Sequence, residues 1–545
     1  MLENDRIWAA SAIEADKNSE ESGIEPVFGK HCDLLLDKAN RHGVIAGASG
    51  TGKTVTMKVL AEGFSQAGVP VFMADIKGDV AGIAVPGDPS QVDSRIKDLG
   101  ADGWKPQGCP TRLWQMTGTA GIPVRITVSD MGPTLLSRLL GLTEVQSGVL
   151  SIVFRIADDK GMLLIDLKDL RALLNYVGEN SKDFQLEYGR VSQQSVGAIL
   201  RSLIEVEDQG GDLFFGEPAF DISDLLSLDE AGHGYVNILD ATGLIHSARI
   251  YSMFLLWMLS ELFETLPEVG DPDKPRLVFF FDEAHLLFDE LPKALGDKII
   301  QVVKLVRSKG VGIYFVSQSP SDIPDAVLAQ LSNRIQHGLR AYTPAEQKAV
   351  RAAAKSFREN PSFDSEKALI ELGTGEALVS FLNEKGEPSV VERALVLPPE
   401  CSMDAPSISE IDQIVESESK LMEKYGTAID RESAYEILNA EKAAQEEADA
   451  LAAERAALQK EREELEKLRL QEQAKAEKAL ERERAAAEKE RMAAEKAAAR
   501  EAAKAEKEAE RRQQQFEKTV NSVIGQIGRE AGRQIVRGIF GSLKR

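Results

Sequence analysis

Residues 47–54 read Gly-Ala-Ser-Gly-Thr-Gly-Lys-Thr, preceded by the apolar run 44–46 and followed by the helix-patterned run 55–64. No other feature restricts the fold as far. A G-x-x-x-x-G-K-T run in this context demands a strand, a tight anion-wrapping loop and a helix N-terminus in that order. The glycines let successive backbone N–H groups turn toward phosphate oxygens, Lys53 neutralises the β and γ oxygens, and Thr54 offers a hydroxyl to Mg²⁺. Gly47, Ala48, Ser49, Gly50, Thr51, Gly52, Lys53 and Thr54 are therefore the candidate nucleotide-binding residues, with ATP and Mg²⁺ the expected ligands. The competing reading, a chance glycine-rich turn, does not account for the flanks.

The second half of such a site should be a buried strand ending in a carboxylate, and residues 277–285, Leu-Val-Phe-Phe-Phe-Asp-Glu-Ala-His, supply one. Asp282 would hold the metal, directly or through water, and Glu283 would polarise the attacking water. Alone, such a run is often only a strand end; paired with the phosphate loop it reads as Walker B. His285 reads as structural or as a helix start. Downstream, residues 310–320 form another apolar run that ends in polar residues, where Gln318 is placed to sense the γ-phosphate or position water; a plain polar strand end is the alternative. Asp75, Lys77 and Asp79 follow the second apolar run. They would lie near nucleotide and metal if that strand neighbours the phosphate-loop strand, and would otherwise form a surface turn.

Short apolar runs at 44–46, 69–74, 235–239, 277–281 and 312–316, each followed by helix-like sequence, predict an α/β fold with a mainly parallel sheet covered on both faces. From 131 to 226 periodic Leu and Ile replace the strand signal and predict a helical insertion. Two strand-like runs around the turn 383–388 predict a closing hairpin. The expected organisation is a first core part with Walker A (1–130), the helical insertion (131–226), a second core part with Walker B and Gln318 (227–430), a long charged helix or coiled coil (431–515), and a basic Gly-rich terminal segment (516–545).

Between 441 and 515 there are 18 basic and 20 acidic residues, interleaved among strong helix formers without Gly or Pro. Leu451, Leu458 and Leu465 repeat every seven residues, but alanine dominates later positions, so any self-association would be weak. The terminal segment carries six basic and two acidic residues. Its Val520, Ile524, Ile527, Ile535 and Ile539 share a helical face, and its glycines permit close approach of another helix. Docking on a protein is the leading expectation, with anionic lipid or nucleic acid as alternatives.

The formal charge of −23 and pI near 4.9 exclude general basicity as a route to nucleic acid or membrane, so any polyanion contact must be local. The three cysteines, Cys32, Cys109 and Cys401, show no metal or disulfide spacing, which points to a reducing, cytoplasmic compartment. The start lacks a basic-then-apolar leader pattern, and the greasiest run, 251–263, is short and contains Ser260 and Glu261; neither export nor a membrane span is expected.

The order of these motifs, GASGTGKT, MADIKGD, VFFFDEAH and KLVRSKGVGIYFVSQSP, closely resembles the HerA/FtsK superfamily of ring-forming P-loop ATPases. The wording of NRHGVIAGASGTGKT, PVRITVSDMGPTLLSRLLGL and LSNRIQHGLRAYTPAEQKAVRAAA resembles its bacterial HerA-like helicase branch. The resemblance covers about residues 24–440 and the GREAGRQIVRGIFGS ending. It implies a RecA-like fold, a hexameric ring, and ATP hydrolysis coupled to movement on double-stranded DNA. It also implies an arginine that reaches the neighbouring subunit's nucleotide. Arg307 matches that position, with Arg334 and Arg340 as weaker candidates. About 40 residues precede the phosphate loop, too few for the β-barrel with which such chains begin. The alternative function is a P-loop ATPase that acts on a protein or membrane partner through its C-terminal helical tail.

Overall fold

The computed structural model describes residues 2–3, 5–14, 27–116, 118–243, 248–288 and 293–493. The terminal segment expected at 516–545 lies outside them, as does the end of the long charged helix. The chain divides into two units, residues 1–442 and 443–545.

Thirteen strands of the first unit form one sheet. They are β1 (Leu2–Glu3), β2 (Arg6–Glu14), β3 (Val27–Leu35), β4 (Gly43–Ala46), β5 (Val71–Asp75), β6 (Thr111–Gln115), β7 (Ile122–Pro123), β8 (Val236–Asp240), β9 (Leu277–Phe281), β10 (Val311–Ser317), β11 (Asn333–His337), β12 (Glu376–Ser380) and β13 (Glu392–Val396). The order is β1-β2-β13-β12-β11-β4-β10-β9-β5-β8-β6-β7, with β3 paired to β2. From β11 to β7 every pairing is parallel. β10 therefore lies between the Walker A strand β4 and the Walker B strand β9, as a RecA-like core requires. Beyond β11 the pairing turns antiparallel, and β12 and β13 form the expected hairpin.

The strand sequences explain the double covering. Along β9, Leu277, Phe279 and Phe281 join one apolar cluster while Val278 and Phe280 join the other, so the uninterrupted apolar run is a strand buried on both faces. One face packs on α1 (Lys53–Gln66) through Met57, Leu60 and Phe64. The other carries α3 (Val128–Leu139), α4 (Glu144–Lys160), α5 (Leu167–Glu179), α7 (Gln193–Asp208), α9 (Ala248–Thr265) and α10 (Lys293–Val306). α2 (Pro89–Leu99), α6 (Ser181–Tyr188) and α8 (Gly211–Phe214) are the remaining α-helices up to β10 among the described residues.

The region ahead of the phosphate loop carries β2 and β3, which extend the sheet through β13. The sequence signal there was weak because β2 is buried almost throughout by small residues, Ala9, Ala10, Ser11 and Ala12, which leave no apolar alternation to read.

Residues Ala434–Ala493 form a single helix, 60 residues long. Its first turn is fixed within the first unit: the fully buried Asp169 accepts hydrogen bonds from Ser433 Oγ at 2.5 Å and Tyr435 N at 3.0 Å. No helix among the described residues is long and apolar enough to cross a membrane.

Candidate functional site

The site forms where the parallel strands end. Ala46 pairs with Ser317 across β4 and β10, Phe315 with Phe281 across β10 and β9, and Phe281 with Ala74 across β9 and β5. That register brings the phosphate loop, Gln318, Asp282 and the loop after Asp75 to one edge, the usual place for a ligand in an open parallel sheet.

The phosphate loop is braced from two sides. Gly47 N donates to Ser317 O at 3.2 Å, Ala48 N to Gly338 O at 2.9 Å, and Gly375 N to Thr51 O at 2.9 Å. Thr51 Oγ1 donates to Ala48 O at 2.7 Å. Ser49 and Gly50 are exposed at the tip. Gly52, at φ 109°, precedes α1 and supplies no side-chain cap, so the first-turn N–H groups of α1 lack a capping side chain and face an anion position. Lys53 Nζ donates back to Gly47 O at 2.7 Å and Ala48 O at 3.1 Å. Burial, with the Lys77 charge adding, holds its ammonium below the ordinary lysine value.

Beneath the loop lies His337, fully buried at the end of β11. Its Nδ1 lies 2.9 Å from Glu376 O and so carries the proton; Nε2 then accepts the Thr56 hydroxyl at 2.8 Å. Burial pushes the imidazole down to about 4, so it is neutral near pH 7. A Cβ on Gly47 would lie 2.5 Å from His337 Cβ, which makes glycine obligatory there. His337, Gly338 and Gly375 escaped the sequence reading; the only signal was a strand that ends in His-Gly.

Opposite the loop, Asp282 and Glu283 leave β9 almost fully buried. Glu283 sits at φ 46°, a left-handed conformation that an L-residue adopts at a cost of about 1–2 kcal/mol; such a conformation persists only where the surroundings hold it. Lys77 Nζ lies 2.6 Å from Glu283 Oε1 and 3.7 Å from Asp282 Oδ2. Gln318 Nε2 approaches Glu283 Oε2 at 3.4 Å, and His285 Nδ1 lies 3.2 Å from the same oxygen. His285 thus faces the acid rather than serving only to start a helix. Burial works to raise the Glu283 carboxyl, but the hydrogen bond and charge of Lys77 outweigh it and hold Glu283 below the ordinary glutamate value. Burial pushes Asp282 up to about 6 against the pull of Lys77.

The loop 75–80 belongs to the site and is no free surface turn. Asp75 accepts from Lys77 N at 3.2 Å, Gly78 N at 2.6 Å and Val80 N at 3.0 Å, which fixes its backbone. From it Lys77 reaches Glu283, while Asp79 Oδ2 accepts from Thr54 Oγ1 at 3.4 Å. Asp79 Oδ1 and Asp282 Oδ2 are buried without a hydrogen-bond partner. Thr54, Asp79 and Asp282 together offer the hydroxyl and carboxylate oxygens that Mg²⁺ selects, and a cation would satisfy both atoms that lack a hydrogen bond.

Arg307 lies apart. It precedes β10, whose seven residues separate it from the nucleotide edge by about 23 Å at ~3.3 Å per residue, and its guanidinium contacts Asp271 at 3.4 Å. Arg334 gives its guanidinium to the carbonyls of Leu331, Ser356 and Leu328 at 3.1–3.2 Å, a structural role that leaves no free donor fork. Arg340 is exposed two residues beyond Gly338, at the phosphate-loop end of the sheet.

A family profile described as "Helicase HerA-like C-terminal" matches residues 22–545. The chain belongs to this HerA-like family. Among curated relatives, a probable helicase of Methanocaldococcus jannaschii is 33% identical over 122 residues, 22% of each chain. The DNA double-strand break repair helicase HerA of Sulfurisphaera tokodaii is 23% identical over 363 residues, 64% of this chain and 63% of that one. The HerA protein of Saccharolobus solfataricus is 23% identical over 431 residues, 74% of this chain and 75% of its own. The chain thus spans less than two thirds of the first two of these relatives. Among solved structures, the plasmid coupling protein TrwB with a non-hydrolysable ATP analogue aligns at TM-score 0.46 and 15% identity, covering 73% of this chain and 94% of that one. VirB4 of Thermoanaerobacter pseudethanolicus aligns at TM-score 0.41 and 14% identity, covering 71% of this chain and 96% of its own. The RecA-like reading rests on the strand order and phosphate loop of this chain.

Proposed function

We propose that this HerA-like chain is an ATP-hydrolysing motor that assembles as a hexameric ring and translocates on double-stranded DNA. The observation that carries the hydrolytic part is Glu283, a buried carboxylate beside Asp282 at the strand edge that holds the phosphate loop. Its place beside Asp282 and the phosphate loop suits a base for the attacking water, a task that nucleotide binding alone does not require. In this reading the Gly47–Thr54 loop and the α1 N-terminus cradle the phosphates, and Lys53 leaves its two carbonyls to neutralise them. Thr54 and Asp282, with Asp79, hold Mg²⁺, which when bound offsets charge on the phosphate oxygens. Glu283 takes the proton of the attacking water, and Gln318 orients that water. Arg307 serves a neighbouring subunit, since it lies far from the nucleotide edge of its own.

The DNA part is supported by the names of the HerA relatives, two of them DNA double-strand break repair helicases. The chain's charge of −23 requires that any DNA contact be confined to a local strip such as a ring channel. The 60-residue helix Ala434–Ala493, nearly all exposed where described, favours a second reading, in which a protein partner on the tail is the object of the motor. A cytoplasmic location accompanies both readings.

The test is ATP turnover with and without double-stranded DNA at two salt concentrations, with Glu283→Gln as control. A Glu283-dependent rate that DNA raises and salt suppresses supports the DNA motor. A Glu283-dependent rate indifferent to DNA favours the tail partner.

A further inference from the structure

Lys77 has no assigned role in the nucleotide chemistry, yet it makes the shortest contact to Glu283, 2.6 Å, against 3.4 Å for Gln318 and 3.2 Å for His285. Its side chain is 42% exposed, whereas those of Asp282 and Glu283 are 3% and 7% exposed. The two acids are fixed in the wall; the lysine reaches them from the open side on a flexible four-carbon stem. Its backbone is pinned by Asp75, so the head group can relocate without the loop moving. The same turn places Asp79 on Thr54, so the loop touches Walker A and Walker B at once.

Two facts argue against a purely structural ion pair. A carboxylate held by an ammonium is a poorer proton acceptor, and with Lys77 on Oε1 and Gln318 and His285 on Oε2 both oxygens of Glu283 are engaged in this geometry. In addition, Lys77 and Lys53 share one neighbourhood, and the charge of Lys77 adds to burial in holding Lys53 below its ordinary value. A triphosphate arriving at the loop therefore meets two ammonium groups, of which Lys77 is shared with Asp282 and Glu283.

We propose that Lys77 senses the γ-phosphate: before nucleotide binds it holds the Glu283 carboxylate, and a nucleoside triphosphate draws its ammonium away and releases Glu283 to act on water. The inference rests on the ATPase reading above. A diphosphate lacks the group that competes for Lys77, so the base stays held after hydrolysis. Gln318, which meets the other Glu283 oxygen at 3.4 Å, orients the water.

The test compares affinities for ADP and for a non-hydrolysable ATP analogue in the wild type, Lys77→Met and Lys77→Arg, with the full chain and Mg²⁺. In Lys77→Met the analogue weakens about three- to tenfold, the γ-phosphate contact less the Glu283 pair it displaces, while ADP affinity stays within about twofold and certifies the fold. Lys77→Arg restores most of the preference. If Lys77→Met keeps the wild-type ratio of the two affinities, the proposal is overturned. A wild type that binds neither nucleotide overturns the ATPase reading, and this inference with it.

Discussion

Replacing Glu283 with Gln separates chemistry from folding and binding, because the structure assigns the three different magnitudes. The amide fills the same volume and keeps the φ of 46°. Its carbonyl can still accept from Lys77, and what is lost is the charge of one pair plus the fit of the second oxygen to Gln318 and His285. That loss costs about 1–3 kcal/mol locally. Removing the general base costs ~10²–10⁴ in rate, or about 3–5 kcal/mol of barrier. Binding should hold or tighten, since Lys53 and the α1 N-terminus are untouched and one negative charge beside the triphosphate is gone. Single-turnover phosphate release and binding of a fluorescent ATP analogue, measured on one preparation, read both quantities. A Glu283→Gln rate within tenfold of wild type refutes the assignment of the base. So does a loss of affinity as large as the loss of rate, which would make Glu283 part of the binding framework.

Gly47→Ala should push its new Cβ against His337, displacing the phosphate loop; nucleotide affinity should fall at least about tenfold and stability by about 1–3 kcal/mol, read by calorimetry and thermal melts. His337 is held at about 4 against an ordinary 6.5, so as pH falls through this window the unfolded chain takes up the proton first. Stability from neutral His337 is therefore full above about pH 6.5 and is lost toward pH 4, by up to about 3 kcal/mol. The stability gap between wild type and His337→Asn should shrink accordingly, and a gap independent of pH would contradict the assignment. Arg334→Ala should lower stability by about 1–3 kcal/mol by removing three hydrogen bonds to carbonyls, of which Leu328 O keeps Leu331 N as a donor, as denaturation will report. Arg307→Ala should change stability by less than about 1 kcal/mol, its pair being half-exposed, yet lower turnover ~10³-fold if the residue serves a neighbour's nucleotide.

The residues with local logic were legible without coordinates. The phosphate loop is eight contiguous residues whose flanks declare strand and helix, and Asp282-Glu283 follows an apolar run that can only be a doubly buried strand. The five parallel strands named from such runs all form, and the hairpin at the end of the core pairs as expected. What escaped was small-residue or mixed-polar sequence, Ala9–Ala12 in β2 and the strand β6, where burial comes from neighbours rather than from composition.

Sequence by itself determined that a phosphate loop, a Walker B acid pair and a polar strand end at Gln318 exist in one chain, and in an order consistent with a RecA-like core. Only the tertiary structure decided that Lys77 closes on Glu283, that Asp79 meets Thr54, and that His337 and Gly375 brace the phosphate loop. The reason is physical. A strand's own residues specify that it is buried, but which strands flank it is set by packing across the whole sheet. β5 lies beside β9, and β11 beside β4, through contacts more than two hundred residues apart in the chain.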